Sequence, residues 1–108
     1  MAVDAVLVGT KTSGTGNLTT GAGTTTSGST FVVFVSYDAG ATLLTVTDSK
    51  LNVYTLIDDE SSNGHIKAIY RSENGTGGAS HTATVTFTGS SNGTAYLVEA
   101  TGAAAASF

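Results

Sequence analysis

Thr82-Ala83-Thr84-Val85-Thr86-Phe87-Thr88 alternates without a break, with Ala83, Val85 and Phe87 on one side and four threonines on the other. Successive side chains of a strand point to opposite faces, so a strict period of two describes a strand with one face on a core and one toward water. Threonine and valine also suit the pleated surface that this pattern needs. The same period runs on in both directions. Thr94 to Thr101 alternates too, Gly89-Ser90-Ser91-Asn92-Gly93 supplies a turn between the two segments, and the pair is predicted to form a hairpin. In the second strand Tyr96, Val98 and Ala100 are assigned to the core face, with Ala95, Leu97 and Glu99 opposite.

Toward the N-terminus, strands are predicted at about Val3 to Thr10, Thr30 to Tyr37, Leu43 to Thr47, Asn52 to Ile57 and His65 to Arg71. Turn chemistry separates them at Asp38-Ala39-Gly40, Asp48-Ser49-Lys50, Ser62-Asn63-Gly64 and Asn74-Gly75, where Asn and Gly accept positive φ. No stretch holds a period of 3.6 for the length of a helix. Residues 1–108 are therefore expected to form a single all-β domain, an immunoglobulin-like or jelly-roll antiparallel β-sandwich of about seven strands. Lys11 to Ser29, rich in Gly, Thr and Ser, is read as a loop or weak edge strand, or as an arm that orders against a neighbouring subunit.

Composition limits the function. A chain of 108 residues with 40% hydrophobic residues can bury one core, and only 11% of it is charged. The net charge of −4 and four scattered basic residues, Lys11, Lys50, Lys67 and Arg71, argue against nucleic acid, which demands clustered cations. There is no cysteine, hence no disulfide or thiolate metal site. The start, Met1-Ala2-Val3-Asp4, lacks a basic leader, and its apolar run stops at Val8, so neither a secretory signal nor a membrane span is expected.

No catalytic set emerges. Gly89-Ser90-Ser91-Asn92-Gly93 fits G-x-S-x-G, but that elbow leads into a helix and here a strand follows. His65 and His81 have no nucleophile or metal-ligand spacing and are read as strand-end or loop residues. Asp58-Asp59-Glu60 lacks the ligand series of a calcium loop and is read as a solvated loop. The expectation is no enzyme, no metal and no cofactor. Sugar binding favours exposed aromatic platforms, whereas there is no Trp and Tyr37, Tyr54, Tyr70 and Tyr96 mostly fall on candidate core faces.

Ser27-Gly28-Ser29-Thr30-Phe31-Val32-Val33-Phe34-Val35-Ser36-Tyr37-Asp38, Leu44-Thr45-Val46-Thr47-Asp48-Ser49 and Asn52-Val53-Tyr54-Thr55-Leu56 resemble immunoglobulin-like domains of phage structural proteins and bacterial surface proteins. Thr84 to Thr88 with Ala95 to Ala103 looks like the closing hairpin of such domains. The resemblance implies a non-enzymatic module of a bacteriophage virion that decorates or reinforces the capsid or a tail or fibre appendage. Its implied partners are a major capsid or tail protein. A carbohydrate-binding or adhesin module that meets host polysaccharide is the alternative.

One feature of the residues themselves points to association. Phe31-Val32-Val33-Phe34-Val35 cannot turn all five side chains into one core. If Phe31, Val33, Val35 and Tyr37 face inward, Val32 and Phe34 need another cover, as does Leu97. Apolar patches of a few hundred Å² are rarely left bare, so Val32, Phe34, Leu97 and Phe108 are the candidate partner contacts, in a homo-oligomer or on a larger assembly.

Overall fold

The computed structural model describes residues 4–15, 17–38, 42–73, 75–88 and 92–101, and these contain strands and no helix. The strands are β1 (Asp4–Thr15), β2 (Leu18–Thr19), β3 (Thr30–Asp38), β4 (Thr42–Asp48), β5 (Thr55–Ser62), β6 (His65–Ser72), β7 (Ala83–Thr88) and β8 (Asn92–Thr101). They form a five-stranded sheet in the order β1-β8-β3-β6-β5 and a three-stranded sheet in the order β2-β7-β4, every pair antiparallel. Phe31, Val33, Val35, Tyr37, Ala95 and Leu97 of the large sheet and Leu18, Ala83 and Val85 of the small one share a buried core. The Tyr37 and Phe87 rings meet across the layers at 4.9 Å.

The pairing has a simple order. β1 pairs with β8, β2 with β7 and β3 with β6, as if one long hairpin had been wound into two layers. That is the winding of a jelly roll, whereas an immunoglobulin domain pairs its first two strands side by side in one sheet. The fourth rung of the winding would join β4 to β5. Instead β5 pairs with β6 and extends the large sheet, and the hairpin turns on Asn63 (φ 52°) and Gly64 (φ 79°), two successive positive φ angles as in a type I′ turn.

Several expectations change. β7 and β8 are no hairpin, since they lie in different sheets and β8 runs between β1 and β3. The faces of β8 are reversed: Ala95, Leu97 and Glu99 are inside and Tyr96 is outside. Asp58-Asp59-Glu60 is no loop but the exposed middle of edge strand β5, where like charges discourage pairing with another edge. The Gly/Thr/Ser-rich stretch is built into the fold. β1 continues to Thr15, β2 follows, and residues 20–28 are held by backbone hydrogen bonds such as Thr20 N to Ala83 O, Gly23 N to His81 O and Gly28 N to Gly75 O.

Close approach explains one glycine that packs against that stretch. A Cβ on Gly9 would lie 1.8 Å from the carbonyl oxygen of Gly21, and backbone cannot swing aside as a flexible side chain can. Gly9→Ala is expected to lower stability by about 1–3 kcal/mol through overpacking, read as a drop in the denaturant midpoint at unchanged slope; an unaltered midpoint would show that β1 and the Gly21 segment do not touch.

Candidate functional site

Alternation along β3, β8 and β6 should put polar groups on the outer face of the large sheet. It does so only at one end. Asp38 and His65 form the last row, 3.3 Å apart, and Ser36, Lys67 and Glu60 the next. Then the face turns apolar: Tyr96, Phe34 and Ile69 are consecutive cross-strand neighbours, followed by Leu7, Val98 and Val32. Phe34 and Tyr96 are directly opposite each other and stay 38% and 37% exposed. They border a recess of about 250 Å³ with Ile69 and Lys67. A second recess of about 370 Å³ adjoins it over Ser36, Glu60, Asn63, His65 and Lys67.

The four expected contact residues separate. Phe34 is on the outer face and available. Val32 is on the same face but 1% exposed, between Arg71 and Val98 in register, so it is already covered. Leu97 is 0% exposed opposite Val33 in the core, which removes it as a surface contact. Phe108 lies outside the described residues, as does the rest of the apolar tail. Tyr96 takes the place expected of Leu97. The misreading has a local cause: both faces of Ala95 to Ala100 carry apolar residues, so alternation alone does not say which is inner. What decides it is distant, because Glu99 turns inward to accept hydrogen bonds from Thr26 N at 2.7 Å and Ser29 Oγ at 2.8 Å.

A second constellation has no motif in the sequence. His81 is fully buried, its Nε2 2.7 Å from Asp48 Oδ2 and its Nδ1 2.7 Å from Thr25 Oγ1, with the Phe31 ring edge-on at 4.6 Å. Thr–His–Asp is an order that nucleophilic catalysis uses. Here Thr25 is 6% exposed, and its hydroxyl also accepts from Gly78 N, so no substrate carbonyl can approach it. The chain fastens structure instead. Asp48 further accepts from the backbone N–H groups of Lys50 and Asn52, the Asn52 amide and the Tyr54 hydroxyl, while Asn52 bonds both backbone groups of Thr76. The turn so fixed holds Leu51 at φ 63° and leaves Leu51 and Val53 almost fully exposed.

Burial pushes the Asp48 carboxyl up, but hydrogen bonds from Asn52, His81 and Tyr54 outweigh it and hold the group below the usual carboxylate range. Burial, then the neighbouring Asp48, pushes the Tyr54 hydroxyl far up, so it remains a donor. No group of three or more His, Cys, Asp or Glu among the described residues is arranged to hold a metal ion. No protein-family model, curated protein or solved structure matches this chain.

Two outcomes follow for the Asp48 network. Its carboxylate is held below its unfolded value near 4, so the stability it contributes is complete above that value and is lost as pH falls through the lowered native one. Urea unfolding of Asp48→Asn should therefore lose the acid-limb slope that this group gives the parent. His81→Ala, which takes one of five donors from the buried Asp48 carboxylate and leaves Thr25 Oγ1 without its ring partner, should cost about 1–3 kcal/mol; no measurable loss would mean that water replaces the imidazole.

Proposed function

We propose that this chain is a non-enzymatic structural module that docks on a protein partner through the outer face of its large sheet. The observation that carries this reading is the half-exposed pair Phe34 and Tyr96 on the central strand β3 and its neighbour β8, with Ile69 beside it, where a solvated face would carry threonine as the small sheet does at Thr19 and Thr84. Central, rigid aromatic residues ringed by polar groups are the usual anchors of protein interfaces, and Ser36, Lys67, Glu60 and Arg71 supply such a rim. The setting we propose is a bacteriophage virion, with a major capsid or tail protein as the partner. That part rests on the sequence resemblance of Ser27 to Asp38 and the later strands to immunoglobulin-like phage domains, whose strand winding this chain does not share.

A second reading has its own support. Tyr96, expected in the core, stands outside next to Phe34, and the adjoining recess gathers a carboxylate, an amide, an imidazole and an ammonium from Glu60, Asn63, His65 and Lys67. An aromatic platform flanked by such groups suits a polysaccharide.

One set of variants separates the two. Phe34→Ser and Tyr96→Ser are each expected to weaken retention on purified particles about tenfold, with Glu60→Gln and Asn63→Ala leaving it unchanged and no binding on a glycan array. Array binding abolished by Glu60→Gln would move the assignment to the polysaccharide. Full retention of the double aromatic variant on particles, or absence of the chain from a mass-spectrometric inventory of them, would end the docking proposal.

A further inference from the structure

Three Asn-Gly pairs occur in the chain, Asn63-Gly64, Asn74-Gly75 and Asn92-Gly93. The pairing carries a chemistry of its own. With no Cβ to hinder it, the backbone nitrogen of a glycine can reach the side-chain carbonyl carbon of the asparagine before it. The sequence makes the three pairs alike, and the structure separates them. Gly75 is buried, its N–H donates to Ser29 O at 2.9 Å and its carbonyl accepts from Gly28 N at 2.8 Å. A Cβ there would lie 2.6 Å from the Phe31 ring, so this glycine is packed as well as bonded. Gly93 is buried in β8 between Gly14 of β1 and Tyr37 of β3, and a Cβ on it would lie 3.0 Å from Leu18 Cδ1 and 3.1 Å from Ser36 O.

Gly64 has neither restraint. It is exposed, as Asn63 is, and a Cβ added to it would meet nothing within 4 Å. The two residues form the whole turn between β5 and β6, whose last rung joins Ser62 to His65, so the Gly64 N–H lies outside the ladder. Reaction requires the turn to leave its left-handed conformation for a moment, since ring closure needs the nitrogen brought against the asparagine side chain. That opening is local here. β5 is an edge strand, exposed at every residue but Ile57, and little apolar contact opposes its fraying. At Gly75 and Gly93 the same movement would disturb the packing on Phe31 and Leu18, both fully buried.

We propose that Asn63 is a site of spontaneous deamidation and isomerisation, whose products alter the recess beside it and loosen the tip of the β5–β6 hairpin. Gly64 N attacks Cγ of Asn63: the N–Cγ bond forms, the Cγ–Nδ2 bond breaks, and ammonia leaves with the former Gly64 amide hydrogen, closing a cyclic imide. Water then opens either carbonyl. Opening at the side-chain carbonyl gives aspartate, and opening at the main-chain carbonyl gives isoaspartate, in which the chain runs through Cβ and Cγ. Water is the only co-reactant, and nothing is oxidised or reduced. Either product adds one negative charge to a chain of net charge −4, as a carboxylate at the recess that Asn63 lines with Glu60, His65 and Lys67. Isoaspartate also lengthens by one carbon a turn in which two residues fix the register of both strands, so the Ser62–His65 rung cannot close as before. The reaction belongs to the chain alone and stands whatever the outer face binds.

The test ages the intact, folded chain in mildly alkaline buffer, samples it over days, and maps it by mass spectrometry with isoaspartyl methyltransferase labelling. Isoaspartate at residue 63 should exceed that at residue 74 or 92 at least about tenfold. The chain unfolded in urea should modify all three at rates within a few-fold of one another, because packing no longer separates them. Asn63→Asp should remove most of the ammonia that the folded chain releases. The more acidic, isoaspartate-rich fraction, isolated by anion exchange, should exchange the amides of residues 55–62 faster than the parent and those of β3 and β8 at the parent's rate. Equal modification of the three pairs in the folded chain, an Asn63 that survives for as long as the unfolded chain takes to react, or a modified fraction whose β5 exchange matches the parent would each overturn the proposal.

Discussion

Asp48 is the point on which both layers depend. Its carboxylate is withdrawn from water at the end of β4 and accepts from two backbone N–H groups, Asn52, Tyr54 and His81. A buried carboxylate is tolerated only when its oxygens are satisfied, so the five donors are held in place as firmly as the acceptor. Through His81 the network reaches Thr25 and the Gly78 backbone, and through Asn52 it reaches Thr76. One side chain thus orients the connection from the small sheet to the large, the long segment before β3 and the approach to β7.

Half of this was legible along the chain. β3, β4 and β7 were readable because each has one predominantly apolar face and its turn residues lie next to it; Asn63-Gly64 is the clearest case, where two residues specify the whole hairpin. β5 was expected three residues early, at Asn52 to Ile57, because Asp58-Asp59-Glu60 carries the chemistry of a loop, and an edge strand exposed at nearly every position has no periodic signal to show where it ends. Residues 11–29 escaped because what orders them is far off in sequence: β8, β7 and the Gly75 to His81 segment. Strand partners cannot be read from turns. Gly89 to Gly93 marks a change of direction, and it does not say that the chain also changes sheet.

The candidate surface was partly legible for the same reason. Five apolar residues in a row, Phe31 to Val35, force some of them outward whatever the fold, and Phe34 is the one left half-exposed. Its partner was misplaced, since Tyr96 and Leu97 are both plausible core residues and only the Glu99 contacts with Thr26 and Ser29 settle the side. His81 and Asp48 form no motif because they are brought together by the winding, on strands and loops that share no local pattern.

The winding also governs how the chain must assemble. Its rungs close ever longer loops: Ser62 meets His65, then Phe31 meets Ser72, and last Asp4 meets Thr101, almost the full length of the described chain. Loop-closure entropy rises with the logarithm of length, each doubling adding about 0.6 kcal/mol. Only the β5–β6 rung is local, so the route that never closes a large loop at once begins at Asn63-Gly64 and adds pairs outward, with β1 and β8 meeting last. The strand that left the fourth rung is the same one that supplies the first, and a jelly roll with a β4–β5 rung would start instead from the turn between those strands.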